Sequence, residues 1–193
     1  MKKFKLTSEF IVDISGVKLF RIKALIEFGN VKAGDLGGYI EKEENLSHMG
    51  DAWVSGDARI SGDAQVFGDA WVFGDARVFG NAWVSGNARV FGDAQVSGNA
   101  RVSGNARVFG DAQVSGDARV SGDKDYAYAH GFGSCNRTTT FFRLKDGDVG
   151  VRCGCFYGTL AQFRDKVCET HGETKKAQEY LMLADLMEIR FKN

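Results

Sequence analysis

The sequence contains no proline. That excludes a collagen-like chain and a Pro-rich linker, although glycine, at 25 of 193 residues, is plentiful. There is no charge imbalance either, since Lys+Arg and Asp+Glu are 25 each. Nothing in that balance draws the chain to a nucleic acid or an anionic membrane. No apolar run approaches the roughly 18 residues of a membrane span. Met1-Lys2-Lys3 is basic, but Lys5, Thr7 and Ser8 interrupt the apolar residues that follow, so no signal-peptide core is present. A cytoplasmic location is therefore expected. The four cysteines, Cys135, Cys153, Cys155 and Cys168, are confined to the last third. In a reducing compartment such residues are thiols or metal ligands rather than disulfides. What the chain does have is 44% hydrophobic residues, enough to bury a core.

It also has a repeat. Residues 50–121 are twelve unbroken hexapeptides of the form Gly-Asx-Ala-x-Val-y. The second position is Asp eight times and Asn four, and the third is always Ala. The fifth is Val except at Ile60, x is Trp, Arg or Gln, and y is Ser or Phe. Ala and Val lie two apart, so on an extended segment both point to one side. Gly-Asx between segments is turn chemistry. A short strand with a corner every six residues is one side of a triangular solenoid. Eighteen residues make a coil, and the repeats predict four coils stacked at roughly 4.8 Å.

This pattern resembles the hexapeptide-repeat, left-handed parallel β-helix family, in which an aliphatic residue is followed four positions later by a small one. Val54 and Ala58 fit, as do the later pairs. The Gly placement is similar to the γ-carbonic-anhydrase-like branch. The hand of the coil is implied by the resemblance alone. The expected fold class is mainly β: an N-terminal β cap over 1–49, a β-helix over 50–122 and a small C-terminal α+β domain over 123–193.

Residues eighteen apart stack. The first face carries Trp53, Trp71, Arg89 and Arg107 at x, and Ser55, Phe73, Phe91 and Phe109 at y. It gathers two of the three Trp and three of the five repeat Phe. Aromatics and Arg are enriched at interfaces. Trp53, Trp71, Phe73, Arg89, Phe91, Arg107 and Phe109 are therefore expected to form a subunit or partner interface. Ladders of like residues that only stabilise the stacked sheet are the competing reading. On the second face Asp57, Asp75, Asp93 and Asp111 form a column that could hold a cation, though capping of each turn is the simpler role.

None of the 72 repeat residues is His, Cys, Glu or Lys. Acyltransferases of the resembled family use a coil His as general base, and its carbonic anhydrases bind metal through coil His. Neither chemistry has a residue to run on in the repeats. No catalytic residue and no cofactor are expected.

In the N-terminal flank, strands are expected at 4–6, 10–12 and 17–26, with Ser15-Gly16 as a hairpin turn. Leu46 and His48 fall in the Ala and Val registers, so the coil is expected to begin irregularly near Gly38. His48 reads as a cap residue. In the tail, strands are expected at 138–145 and 149–155, joined by Asp146-Gly147-Asp148. Thr159 and Gln162 form a capping box ahead of a helix that Gly172 stops. A second helix is expected over 174–190. Cys153, Cys155, Cys168 and His171 read C-x-C…C-x-x-H, weak candidates for a zinc set, and core thiols are the simpler account. Tyr126, His130, Arg137, Arg143 and Arg152 are candidate partner- or ligand-binding residues.

Residues 31–40 and the tail segments 140–142, 153–156 and 169–172 resemble uncharacterised β-helix proteins of phage and prophage genomes. The resemblance implies a mobile-element setting and carries no activity. The expected function is a non-enzymatic, homo-oligomeric (dimer or trimer) binding scaffold in the host cytoplasm, its C-terminal domain recognising a host protein such as an anti-phage defence component. A sponge for a small nucleotide signal is the alternative, and a hexapeptide-type acyltransferase the third.

Overall fold

A computed structural model describes residues 1–192; Asn193, the last residue of the 123–193 unit, lies outside the described residues. The chain is mainly β. It opens with β1 (Phe4–Val12), β2 (Lys18–Ala24) and β3 (Leu36–Ile40). Each hexapeptide then supplies one two-residue strand, from β4 (Trp53–Val54) to β15 (Arg119–Val120). The tail contains β16 (Tyr126–Ala129), β17 (Thr139–Arg143), β18 (Val149–Cys153) and β19 (Phe156–Thr159), then α1 (Leu160–His171) and α2 (Lys175–Phe191).

The middle is a β-solenoid. Residues eighteen apart pair in parallel: Trp53 with Trp71, Arg59 with Arg77, Gln65 with Trp83. Every repeat Ala and every Val or Ile of the fifth column is at most 1% exposed, so these two columns fill the bore. The solenoid has about five turns rather than the four that the perfect repeats predict. The extra rung comes from residues without the motif. Tyr39 and Ile40 pair with Arg59 and Ile60, and Leu46 bridges to Val66.

Corners are closed by backbone. Ala88 N–H donates to Ser85 O (3.3 Å) across Gly86-Asn87. Gly86 has φ +64° and Asn87 does not have positive φ, the pattern of a type II′ turn. A Cβ on Gly86 would also sit 3.0 Å from Gly104 N. The column is glycine for conformation and for close approach together. The turn being closed already, the Asx side chains are free to bond between coils instead of capping their own turns. Asn81 Nδ2 donates to Asn99 Oδ1 and Asn99 Nδ2 to Asp117 Oδ1, both at 3.2 Å.

The ladder is polar along its axis. The N–H groups of the x and y residues donate to carbonyls of the next coil, as Arg77 N–H does to Ala94 O (2.9 Å). The first coil is left with free carbonyls and the last with free N–H groups, and each buried one needs a partner. At the first coil, buried Lys3 Nζ donates to Gly50 O (3.1 Å) and Ala52 O (2.8 Å). Buried Asn45 Nδ2 donates to Gly62 O (3.0 Å) and Ala64 O (2.8 Å). At the last coil, Thr140 Oγ1 accepts from Gln113 N–H and Asp123 Oδ1 from Arg107 N–H, both at 2.9 Å. Asp125 Oδ2 accepts from the Ser121 and Gly122 amides and the Ser121 hydroxyl.

The flanks differ from expectation in three places. β1 is one strand with a register shift between Leu6 and Phe10, and it pairs with β2. The hairpin lies antiparallel beside β3, so it lengthens the second face into a seven-stranded sheet, while its Phe4, Ile22 and Ala24 join the buried cluster of the bore. The returning strand of the tail hairpin ends at Cys153. Gly154-Cys155 is the turn between β18 and β19, with Gly154 at φ +58°, so the two thiols do not share a strand face. Helix α1 starts on the Thr159–Gln162 capping box and is followed by Gly172 at φ +55°.

Candidate functional site

Two regions gather the residue types that bind things. The first is the aromatic face. Phe73, Phe91 and Phe109 stack coil upon coil, with centroids 4.9 and 5.3 Å apart and planes 2° and 11° apart. Tyr128 of β16 meets Phe109 edge-on at 5.8 Å, carrying the ladder onto the C-terminal sheet. Stacking half-buries Phe73 and Phe91, while Phe109 keeps 40% of its surface exposed. Arg89 and Arg107 are exposed beside the ladder. Trp53 is not part of this surface: it is 3% exposed, because Phe28 of the N-terminal flank packs edge-on against it at 5.4 Å. The exposed aromatics are also less concentrated than the columns suggest, since Phe79 and Trp83 project from the other two faces.

On the third face, Trp83 and Arg101, one coil apart, close a cation–π contact at 4.6 Å. Trp71 and Arg89 occupy the same relation on the first face, yet among the described residues no such contact joins them. Both line a groove of about 450 Å³ with Phe73, Asp51 and Asp69.

The second region is the tail. The candidate basic patch is not one surface. Tyr126 is 5% exposed under the last coil, where burial pushes its phenol up and the Phe109 amide bonds it. Thr140 and Arg152 are cross-strand partners and face the solenoid, Arg152 Nε donating to Gln113 Oε1 (3.4 Å). Arg143 lies on the opposite side of that sheet, its guanidinium donating to Phe191 O (3.0 Å) at the end of α2. Strand alternation separates them. His130 is exposed, with Thr138 Oγ1 at 2.9 Å and Asp111 Oδ2 at 3.9 Å. Only Arg137 remains at a cavity.

That cavity, of about 210 Å³, lies between the β18–β19 turn, the loop before β17 and the two helices. Cys153, Cys155 and His171 line it, whereas Cys168 is exposed on α1 and does not. Among the described residues no three His, Cys, Asp or Glu side chains come together as a metal cluster. The C-x-C…C-x-x-H spacing is therefore not realised as a ligand set. Cys153 Sγ instead accepts from Thr139 Oγ1 (3.2 Å) and lies 3.8 Å from the Tyr180 hydroxyl. Burial pushes that phenol up, and donors from Ser134 oppose the shift. Tyr180, which the sequence marks only as a residue of the second expected helix, anchors the loop: its oxygen accepts from Ser134 N–H (3.0 Å).

His48 belongs to the N-terminal cap. Its Nδ1 accepts from Lys3 N–H (3.1 Å), its Nε2 lies 2.6 Å from Glu43 Oε1, and its ring stacks on Phe4. The Lys2 ammonium and His48 together hold the Glu43 carboxyl below its usual range.

Comparison with known families finds a match in the repeats. The model described as YdcK beta-solenoid repeat matches residues 70–86, 82–98, 94–110, 100–114 and 112–123, so the repeats are similar to that solenoid. No curated protein matches the chain. Among the described residues no helix is long and apolar enough to cross a membrane. A β-solenoid of this kind fits a scaffold or binding role.

Proposed function

We propose that the protein is a non-enzymatic scaffold that self-associates through the first face of its solenoid and presents its C-terminal unit to a partner. The observation that carries this is the open pair on that face. The third face satisfies Trp83 with Arg101, while Trp71 and Arg89 face a groove without meeting each other. A second copy brings the complementary member of each pair, because the same face holds both indole and guanidinium. Such cation–π contacts gain strength when desolvated. The Phe73–Phe91–Phe109 ladder supplies the apolar area between them. A self-complementary patch is what a two-fold or cyclic assembly requires. The repeats contribute rigidity and spacing, and with no His, Cys, Glu or Lys in them Asp is their one carboxylate and they carry no imidazole, thiol or amine. The flank resemblance supports a phage setting, with a host protein as the tail's partner.

Light scattering after size exclusion tests the assembly. The wild type is expected at the mass of a dimer or trimer, and Arg89→Glu, which changes an exposed side chain, is expected to shift it toward monomer. A wild type that stays monomeric across the accessible concentration range contradicts the proposal.

A further inference from the structure

We infer that the tail cavity between the β18–β19 turn and the helices is a binding site for a small organic anion, a carboxylate or phosphate monoester on an apolar body. The lining is charged in one sense. Arg137 and Lys166 supply its charge, His171 adds a neutral or donor-capable imidazole edge, and no carboxylate lines it. Arg137 makes no ion pair among the described residues, and Lys166 has only an exposed contact with Glu169 one helical turn away. Exposed pairs of that kind contribute little and yield readily to a better anion. The floor is apolar: Phe163 and Val167 are 3% and 4% exposed, and Phe156 packs against Phe163. A cationic rim over an apolar floor, with a buried hydroxyl at Tyr180, is the lining expected of a site that orients one acidic group and covers one ring.

The walls are held in place. Cys135 and Asn136 both adopt positive φ, 60° and 47°, a conformation that a pair of non-glycine residues rarely takes. Gly133 N–H donates to Glu179 Oε2 (2.8 Å) and Ser134 N–H to the Tyr180 oxygen, so α2 fixes the loop just ahead of them. The loop delivers Arg137 across the β18–β19 turn, where a Cβ on Gly154 would lie 2.3 Å from its Nη1. Strain retained at such a place is typical of binding loops. The volume sets the size of the ligand. About 210 Å³ is below the roughly 300–1,000 Å³ of pockets that enclose drug-sized molecules, so one ring with its acidic group fills it.

The test is a titration of the full chain followed by amide nuclear magnetic resonance, with benzoate, phenyl phosphate and the uncharged benzamide as probes. Saturable shifts at Ser134, Cys155 and His171 are expected with at least one of the two anions, and the tighter of these identifies the acidic group. Benzamide is expected to bind at least about tenfold more weakly, since it lacks the charge-assisted bonds. Arg137→Gln should weaken the anion about tenfold, and Arg137→Lys should recover part of the loss. Unchanged amide shifts outside the cavity show that each variant is folded. The inference is overturned if neither anion gives saturable shifts by about 10 mM, where affinity corresponds to less than 3 kcal/mol. It is equally overturned if benzamide binds as tightly, or if Arg137→Gln has no effect.

Discussion

The two ends of the solenoid solve one problem with opposite chemistry. The parallel ladder leaves carbonyls at the first coil and N–H groups at the last. A short 3-10 turn stands at each end, Glu43–Asn45 at one and Asp123–Asp125 at the other. The first presents an amide donor, Asn45 Nδ2, to two carbonyls. The second presents a carboxylate oxygen, Asp125 Oδ2, to two amides and a hydroxyl. Lys3 adds to the donor end, and Asp123 and Thr140 add to the acceptor end. A repeat solenoid is thus closed by matching the sign of its backbone, not only by covering its apolar bore.

Reversing the sign at one end should have the largest effect. Asn45→Asp places a carboxylate against the Gly62 and Ala64 carbonyls and is expected to cost about 3–5 kcal/mol in chemical denaturation, the range for an uncompensated buried charge. Removing the group at the other end is milder. Asp125→Ala leaves the Ser121 and Gly122 amides without their acceptor and should cost about 1–3 kcal/mol. If the two substitutions cost the same as surface changes, the matching of ends has no energetic content.

The two ends should also respond to pH with the same sign but in separate windows. Burial lowers Lys3 from 10.5 to about 8, against the opposing attraction of Asp51 and Asp69. Between those values the unfolded chain holds more protons than the folded one, so stability rises with pH there, at up to about 1.4 kcal/mol per unit. Lys3→Met should abolish that rise. Burial raises the Asp125 carboxyl, but bonds from Ser121 and Gly122 and the Arg143 charge outweigh it and leave it below its ordinary value. Its contribution is present above the ordinary carboxylate range and lost as pH falls through the lower folded value. Denaturant midpoints measured from pH 3 to 10 would show both limbs, and a flat profile that Lys3→Met leaves unchanged would remove the first.

Much of this was legible in the residues. The Ala and Val columns predicted the bore, and the Gly column the corners, because a strict period of six permits only one arrangement of strand and turn. The helices α1 and α2 were readable from caps and apolar spacing. The first rung is legible only as an irregular start near Gly38; its register is not, since Leu46, in the Ala register by spacing, pairs with Val66 of the Val column, and Tyr39 and Ile40 likewise pair twenty residues on, with Arg59 and Ile60. The burial of Trp53 depends on Phe28, 25 positions away, which no column analysis brings near it. The candidate site was half visible. Cys153, Cys155, Arg137 and His171 were singled out, but their grouping with Lys166 and Tyr180 follows from the Gly154-Cys155 turn and the loop anchored on α2. The hand of the coil rested on resemblance and not on spacing.

A smaller contrast lies between corner columns. Asn81, Asn99 and Asp117 are joined by side-chain bonds, whereas Asp57, Asp75, Asp93 and Asp111 stack four carboxylates. Asp93→Asn should relieve repulsion and add a donor between Asp75 and Asp111, stabilising the chain by about 0.5 kcal/mol in the same denaturation assay. A destabilised variant would show that this column has a separate role.

The same substitution placed on two faces tests the scaffold account most directly. Sedimentation equilibrium of Arg89→Glu, on the first face, should report monomer, while Arg101→Glu, which removes the closed pair with Trp83 on the third face, should keep the wild-type assembly. Equal dissociation of both, or of neither, would contradict the assignment of the first face as the surface through which copies of this chain meet.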